Sequence, residues 1–201
     1  ALDRMLQNIL MEKSIDVNTM LIGDKNALLV AARRTGYGPE YETTINCPSC
    51  STQVDYTFDI SQPPCNNYAE NAKEMGITIG NDGTLSITLP MSRVTLGCRF
   101  LTGADEVRLS KETDRKAKRK MDSTTTTDAF RAFIISVNGD DNPFAVESFI
   151  QAMPARDARH LRTIYNSVIP NIDLTQQFQC SQCGYEAEME VPLGVDFFWP
   201  K

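Results

Sequence analysis

The chain has 201 residues, of which 41% are hydrophobic and 23% charged, and its formal net charge is −6. This length suits one compact domain, or a core domain with an inserted subdomain, and the composition lies outside the disordered range. The acidic balance disfavours a generic binder of nucleic acid or anionic membranes, no run approaches the roughly 20 apolar residues that span a bilayer, and the first residues lack the pattern of a signal peptide.

The N-terminal segment predicts two helices. Apolar residues recur at helical spacing over residues 2–13, which is typical of an amphipathic helix. This helix packs in the core or docks on a partner helix, and the sequence leaves both open. Asp24 can cap a second helix over residues 27–34, and Gly36 and Gly38 are suited to end it.

Two short cysteine motifs, here called knuckles, come next. The first knuckle is Cys47-Pro48-Ser49-Cys50 and the second is Cys180-Ser181-Gln182-Cys183. Both lie between segments in which apolar and polar residues alternate, so each predicts a strand–knuckle–strand unit. These flanking segments are residues 41–45 and 54–60 for the first knuckle, and residues 174–178 and 185–193 for the second.

Four cysteine thiolates form the ligand set of a closed tetrahedral Zn²⁺ site. The sequence therefore predicts that Cys47, Cys50, Cys180 and Cys183 converge on one structural zinc ion, although 129 residues separate the two knuckles. A redox role would need the motif at the start of a helix, whereas strand-like sequence follows both pairs. A site without metal is the remaining alternative.

The long segment between the knuckles predicts a mixed insertion. Residues 85–89 and 94–100 have the alternation of short strands, and Thr102, followed by acidic residues, is a typical helix start. Three apolar stripes predict further helices, the last of which begins near Pro154. The stripes lie within residues 130–137, 146–153 and 161–168.

A basic stretch lies inside this insertion. Residues 108–120 carry seven Lys or Arg side chains. Such a run is typical of a solvated helix face. The alternative is docking on an acidic partner or on nucleic acid.

Three arginines form the first candidate interface. Arg156, Arg159 and Arg162 are spaced three apart, so they share one face of the predicted helix. They could bind carboxylates of a neighbouring subunit. Pairing with acids of the same chain is the alternative.

The C-terminal aromatic residues form the second candidate interface. Phe197, Phe198 and Trp199 all lie within the last five residues, and such clusters are typical interface anchors. They could instead fold back over the strands of the ribbon.

No catalytic arrangement is visible in the sequence. A zinc enzyme keeps one metal position open for water, whereas four cysteines close the shell. Nothing near the sole histidine, His160, in the sequence would make it a base, and a nucleophilic Cys–His pair has no local support. No phosphate-binding loop is present. We therefore predict no enzyme activity, no catalytic or cofactor-binding residue and no small-molecule substrate. Cys98 is in phase with a strand and is predicted to be buried, while Cys65 receives no role.

Together these elements predict an α+β fold, in which a mostly helical insertion splits a zinc-ribbon β-structure. The predicted divisions are N-terminal helices over residues 1–36, the two halves of the ribbon over 37–62 and 172–195, a mixed strand and helix insertion over 63–171, and an aromatic tail over 196–201.

Several motifs, in this order, resemble the T4-type baseplate hub proteins of contractile-tailed bacteriophages. The resemblance covers most of the chain. It includes Ala31-Ala32-Arg33 with Gly36-Tyr37-Gly38-Pro39-Glu40-Tyr41, the first knuckle, Phe100-Leu101-Thr102-Gly103-Ala104-Asp105-Glu106, Met153-Pro154-Ala155-Arg156-Asp157-Ala158-Arg159, the second knuckle, and Asp196-Phe197-Phe198-Trp199-Pro200.

The resemblance implies a structural role in the virion, or in its assembly, near the hub of the tail baseplate. Zinc would then be held by the four knuckle cysteines. The implied partners are other hub, wedge or tail-tube proteins, with no membrane, and the protein would be made in the host cytoplasm. The alternative function is a nucleic-acid-binding zinc-ribbon protein that uses residues 108–120.

Overall fold

A computed structural model describes residues 2–118, 125–193 and 197–199. The chain forms two compact units. Unit 1 comprises Ala1–Val17, Asp24–Cys65 and Asn171–Lys201, and unit 2 comprises Asn18–Gly23 and Asn66–Pro170. The fold class predicted from sequence is confirmed, because small antiparallel sheets and helices are both present and the two knuckles lie together. The finer predicted domain boundaries remain a proposal.

Unit 1 contains helix α1 (Leu2–Ile9), most of helix α2 (Ile22–Tyr37) and two β-hairpins. Helix α1 is shorter than the predicted 2–13, and α2 is longer than the predicted 27–34. Asp24 lies inside the first turn of α2 instead of capping it, where a carboxylate still favours the positive end of the helix dipole. Gly38 ends α2, since its positive φ of 92° suits glycine and its amide donates to Arg34 O at 3.0 Å.

The two hairpins have the same plan. Strand β1 (Glu40–Asn46) pairs antiparallel with β2 (Gln53–Asp59), and β7 (Thr175–Gln179) pairs antiparallel with β8 (Glu186–Glu190). Their alternation places one set of side chains inward, and the strands predicted around both knuckles are therefore confirmed. The buried side chains of this unit include Tyr41, Val54, Phe58, Ile60, Leu174 and Phe178.

Unit 2 is built on a four-stranded antiparallel sheet in the order β3-β4-β5-β6. Its strands are β3 (Thr78–Ile79), β4 (Leu85–Thr88), β5 (Thr95–Cys98) and β6 (Ile134–Val137). Its helices are α3 (Tyr68–Glu74), α4 (Gly103–Lys118), α5 (Thr125–Phe133), α6 (Pro143–Ala152) and α7 (Ala155–Val168). The apolar core that joins them includes Leu85, Ile87, Leu96, Cys98, Phe130, Phe133, Ile150, Leu161 and Tyr165.

The helical stripe predicted over residues 130–137 is wrong in its second half. Helix α5 stops at Phe133, and Ile134–Val137 continue as the edge strand β6, paired with β5. The apolar spacing fits both states over so few residues, and the β-branched residues Ile134, Ile135 and Val137 favour a strand once β5 offers its edge. Helix α3 and strand β3 were not anticipated.

An acidic residue organises the start of α4. Asp105 accepts both guanidinium hydrogen bonds of Arg99, at 2.7 and 2.8 Å, and also the amide and hydroxyl of Thr102, both at 3.0 Å. The bidentate Arg99 contact, followed by the Thr102 amide, holds the pKa of Asp105 well below its usual range. Thr102 thus begins the helix as predicted, although its hydroxyl donates to Asp105 instead of accepting from an amide.

A second acidic residue connects α7 to the turn between β4 and β5. Asp157 is fully buried in the first turn of α7, and its carboxylate accepts the amides of Met91 at 2.8 Å and Ser92 at 2.9 Å. Burial opposes ionisation, but the two amides outweigh it and lower the pKa of Asp157. The turn is thereby fixed to the helix.

Among the described residues, no helix has both the length and the apolar character needed to cross a membrane.

We expect Asp157→Asn to destabilise the protein by about 2 kcal/mol or more, because an amide cannot accept from both backbone donors. A depressed pKa contributes stability above the unfolded value of about 4 and loses it as pH falls through the folded value. The stability difference between wild type and variant should therefore shrink below about pH 4. Urea unfolding at several pH values measures this. The exposed Asp141→Asn is the control, and an equal effect of both variants would contradict the prediction.

Candidate metal centre

The two knuckles have the same backbone geometry. The amide of Cys47 donates to Thr52 O, five residues on, and the amide of Ser51 donates back to Cys47 O. In the second knuckle the amide of Cys180 donates to Tyr185 O and the amide of Gly184 donates to Cys180 O, with the same sequence separations as in the first knuckle. Ser51 and Gly184 occupy equivalent positions, and both have positive φ, 57° and 70°. Each hairpin therefore presents its two sulfurs from one tight turn.

The four sulfur atoms converge. The Sγ atoms of Cys47 and Cys183 are 3.8 Å apart, those of Cys50 and Cys180 are 3.9 Å apart, and all four lie within 4.8 Å of one another. A tetrahedron with metal–sulfur bonds of about 2.3 Å has edges of about 3.8 Å. The ligand spacing thus fits a single four-coordinate ion. Among the described residues, no other group of three or more His, Cys, Asp or Glu side chains is close enough to hold one.

The surroundings of the sulfurs differ between the two members of each knuckle. Cys47 and Cys180 are buried and pack in one apolar cluster with Val54 and Phe178, whereas Cys50 and Cys183 are exposed. One side of the site is therefore sealed by protein, and the other faces outward.

Polar contacts lower the pKa of one thiol in each knuckle. The side chain of Thr52 and then its amide lower the pKa of Cys50 to about 6. The amide of Cys183, followed by that of Gln182, lowers the pKa of Cys180. For Cys183 the Tyr185 amide acts in the same direction, but burial and the neighbouring sulfurs raise its pKa to about 11. Four adjacent thiols resist full ionisation, and a bound cation relieves that repulsion.

Side chains bridge the two hairpins beyond the sulfurs. Tyr56 donates its hydroxyl to Gln177 O at 2.7 Å, and its ring makes an edge contact with Phe178 at 5.2 Å between centroids. Gln176 accepts the amide of Asp59 at 3.1 Å and donates to Asp59 O. Sequence reasoning missed these contacts, since the partners are more than 115 residues apart and no local pattern links them.

The aromatic tail is largely buried in unit 1. Phe197 is 1% exposed and meets Tyr41 edge-on at 4.8 Å, and Phe198 is 4% exposed. Trp199 remains 50% exposed. Phe197 and Phe198 thus fold back on the chain, as the alternative prediction for the tail had it, and Trp199 is the ring that a partner could still contact.

The three arginines of the predicted interface lie on α7. Arg156, Arg159 and Arg162 are all exposed, and none makes an ion pair with a described residue. His160 is half-buried on the same helix. The remaining cysteines are Cys98, which is fully buried as predicted, and Cys65, which is exposed.

We expect the isolated protein to bind one Co²⁺ per chain and to show the absorption bands of tetrahedral cobalt thiolate. Cys180→Ser should weaken binding by more than the roughly 10- to 100-fold that loss of an outer-shell contact costs, because it removes a ligand. Optical titration with a competing chelator measures the affinity. Cys65→Ser is the matched control, because this exposed cysteine lies outside the cluster. Equal affinities for wild type and Cys180→Ser would rule out the four-sulfur site.

A comparison with protein-family models gives one match that spans nearly the whole chain. The model of the T4 bacteriophage base plate protein family matches residues 1–199. No curated protein and no solved structure matches the chain. The match confirms the baseplate resemblance seen in the motifs and places both knuckles and the intervening insertion inside the family region. The chain therefore belongs to the T4 bacteriophage base plate protein family and is a protein of the virion tail baseplate.

Proposed function

We propose that this protein is a structural component or assembly factor of the baseplate hub, acting through protein–protein contacts on a fold held together by Zn²⁺. The observation that carries the proposal is the family match over residues 1–199, together with four cysteine sulfurs at tetrahedral spacing. Its partners are other hub, wedge or tail-tube proteins.

Zinc is the metal that best suits the four cysteines. A tetrahedral shell of four sulfurs favours Zn²⁺ or iron among biological metals, and paired Cys-x-x-Cys knuckles on hairpins are a usual zinc framework. When bound, zinc supplies cross-linking free energy on the order of 10–16 kcal/mol. The knuckle amides stabilise the thiolates, and Tyr56 and Gln176 hold the hairpins in place.

We propose that the chain catalyses no reaction. With all four ligand positions taken by cysteine, an ion in this site has no place for substrate or activated water. A structural role in the baseplate agrees with this closed shell.

The nucleic-acid alternative receives less support from the basic stretch. Part of its charge is already engaged inside unit 2, because Arg108 contacts Asp105 at 3.1 Å and Lys116 contacts Asp128 at 2.5 Å. The remaining described basic residues of α4 include Lys111, Arg115 and Lys118, alternating with Glu112 and Asp114. Mixed charges of this kind are typical of a solvated helix face.

Baseplates assembled from phage tail proteins test the proposal directly. We expect omission of this protein, or its replacement by Cys180→Ser, to block baseplate formation, because the ribbon loses its metal and its shape. Cys65→Ser should assemble normally. Electron microscopy and gradient sedimentation measure the yield, and elemental analysis of the purified protein should give about one zinc per chain. Normal baseplates without the protein would refute the function, and normal baseplates with Cys180→Ser would refute the zinc requirement.

Two substitutions in the aromatic tail distinguish its role in folding from its role in docking. We expect Phe197→Ala to destabilise unit 1 by about 3 kcal/mol, because it removes a buried ring, whereas Trp199→Ala should leave stability nearly unchanged and reduce assembly. Trp199 is the single tryptophan of the chain, so its fluorescence should shift to longer wavelength in Phe197→Ala as the tail is released. Chemical unfolding measures the change in stability, and the assembly assay measures the change in baseplate yield. An assembly-competent Trp199→Ala would show that the tail serves the fold alone.

A further inference from the structure

Unit 2 carries a group of four arginines, here called the arginine patch: Arg93, Arg156, Arg159 and Arg162. The sequence singled out the last three, and the structure adds Arg93. Asp157 fixes the amides of Met91 and Ser92 against the first turn of α7, and Arg93 is the next residue of that turn. The turn therefore places the backbone of Arg93 one residue beyond the amides that contact the N-terminal end of α7.

The patch is uncompensated within the described chain. All four arginines are exposed, and none has an ion-pair partner among the described residues. Several other basic groups of unit 2 are paired, for example Arg99 with Asp105 and Arg131 with Glu147 at 2.6 Å. The only acid of α7 is Asp157. It is buried and occupied by backbone amides, so it cannot neutralise the exposed face.

The placement of these arginines lowers the folding stability of the isolated chain. Like charges three residues apart on a helix repel by a few tenths of a kcal/mol per pair. Arg156 is the second residue of α7, where the helix dipole opposes a cation. Arg93 has a φ of 59°, a conformation that costs free energy for a residue other than glycine. Residues that are unfavourable for stability at their positions are expected where a sequence serves a binding function.

We propose that the arginine patch binds a carboxylate-rich surface of another baseplate protein. Guanidinium groups form bidentate pairs with carboxylates, and such pairs are stronger than those of lysine. Met91, 56% exposed in the same turn, adds an apolar contact of a type enriched at protein interfaces. The proposal deepens the proposed function and rests on it.

Charge favours a protein partner over the other anionic partners. The net charge of −6 opposes long-range attraction of nucleic acid, whose phosphates repeat along its whole length. A protein partner can confine its carboxylates to the area that contacts the patch. A second copy could offer its own exposed acids on β8, but Glu186 and Glu188 already accept the side-chain amides of Gln179 and Gln177, at 2.8 and 3.2 Å. A different baseplate protein with a local cluster of unpaired carboxylates avoids both difficulties.

The first test reverses one charge. Arg159 lies at the centre of the exposed face of α7, so Arg159→Glu should lower incorporation into assembled baseplates by about tenfold or more. Lys111→Glu on α4 makes the same charge change outside the patch and should incorporate like wild type. Thermal unfolding confirms that both variants fold. Wild-type incorporation of Arg159→Glu would overturn the proposal. Absence of the wild-type chain from baseplates and from their assembly would instead refute the proposed function.

The second test identifies what the patch touches. Arg159→Lys keeps the charge and supplies an amine that a carbodiimide joins to a contacting carboxylate. The sample is purified baseplates, or an assembly intermediate if the protein leaves before completion. We expect mass spectrometry to find the amine introduced by Arg159→Lys joined to an Asp or Glu of a different baseplate protein. Linkage only to a second copy would overturn the proposal, as would no linkage. Retention that depends on nucleic acid and is abolished by nuclease would also overturn it.

Discussion

Unit 1 brings together four sulfur atoms that the chain supplies from two distant places. Cys47 and Cys50 come from the hairpin β1–β2, and Cys180 and Cys183 come from β7–β8, with 129 residues between them. A two-stranded hairpin alone is at best marginally stable in water, and closing so long a loop costs entropy. The side-chain bonds of Tyr56 and Gln176 contribute only a few kcal/mol by ordinary magnitudes. The proposed zinc ion, coordinated by both hairpins, would supply much more.

The ribbon could be predicted from sequence because its signals are local. Each knuckle shows its ligands at fixed spacing and its strands by alternation, and Gly184 marks a turn that needs positive φ. The boundary between α5 and β6 could not be predicted, since the pairing of Ile134 with Cys98 decides it. The hydrogen bonds between Asp157 and the turn at Met91 could not be predicted from sequence either. The bond to the Met91 amide joins residues 66 apart, and Asp157 looks in sequence like an ordinary acid of a helix N-terminus.

The buried acids of unit 2 accept hydrogen bonds inside the unit, and this placement affects the charge of its surface. Asp105, Asp128 and Asp157 all turn inward, where each accepts from arginine, lysine or backbone donors. Carboxylates placed in this way stabilise the junctions between elements, because a charged acceptor makes stronger hydrogen bonds than a neutral one. For Asp157, the same placement removes negative charge from the exposed face of α7. A chain with an overall negative charge can therefore still present a locally positive surface.

Arg33 explains why the aromatic tail belongs to the fold. Its guanidinium donates to Gly38 O and Glu40 O and lies near the rings of Tyr37, Tyr41 and Phe197, between 4.8 and 6.0 Å from their centroids. Its Nε is buried and has no hydrogen-bond partner among the described residues. The electron-rich ring faces partly replace the missing acceptor through cation–π attraction. Phe197 is thus committed to covering a buried cation, and the docking contacts that we propose are those of Trp199 and the arginine patch. Two attachment points on one chain would bind an assembly more tightly than either alone when both can be engaged together.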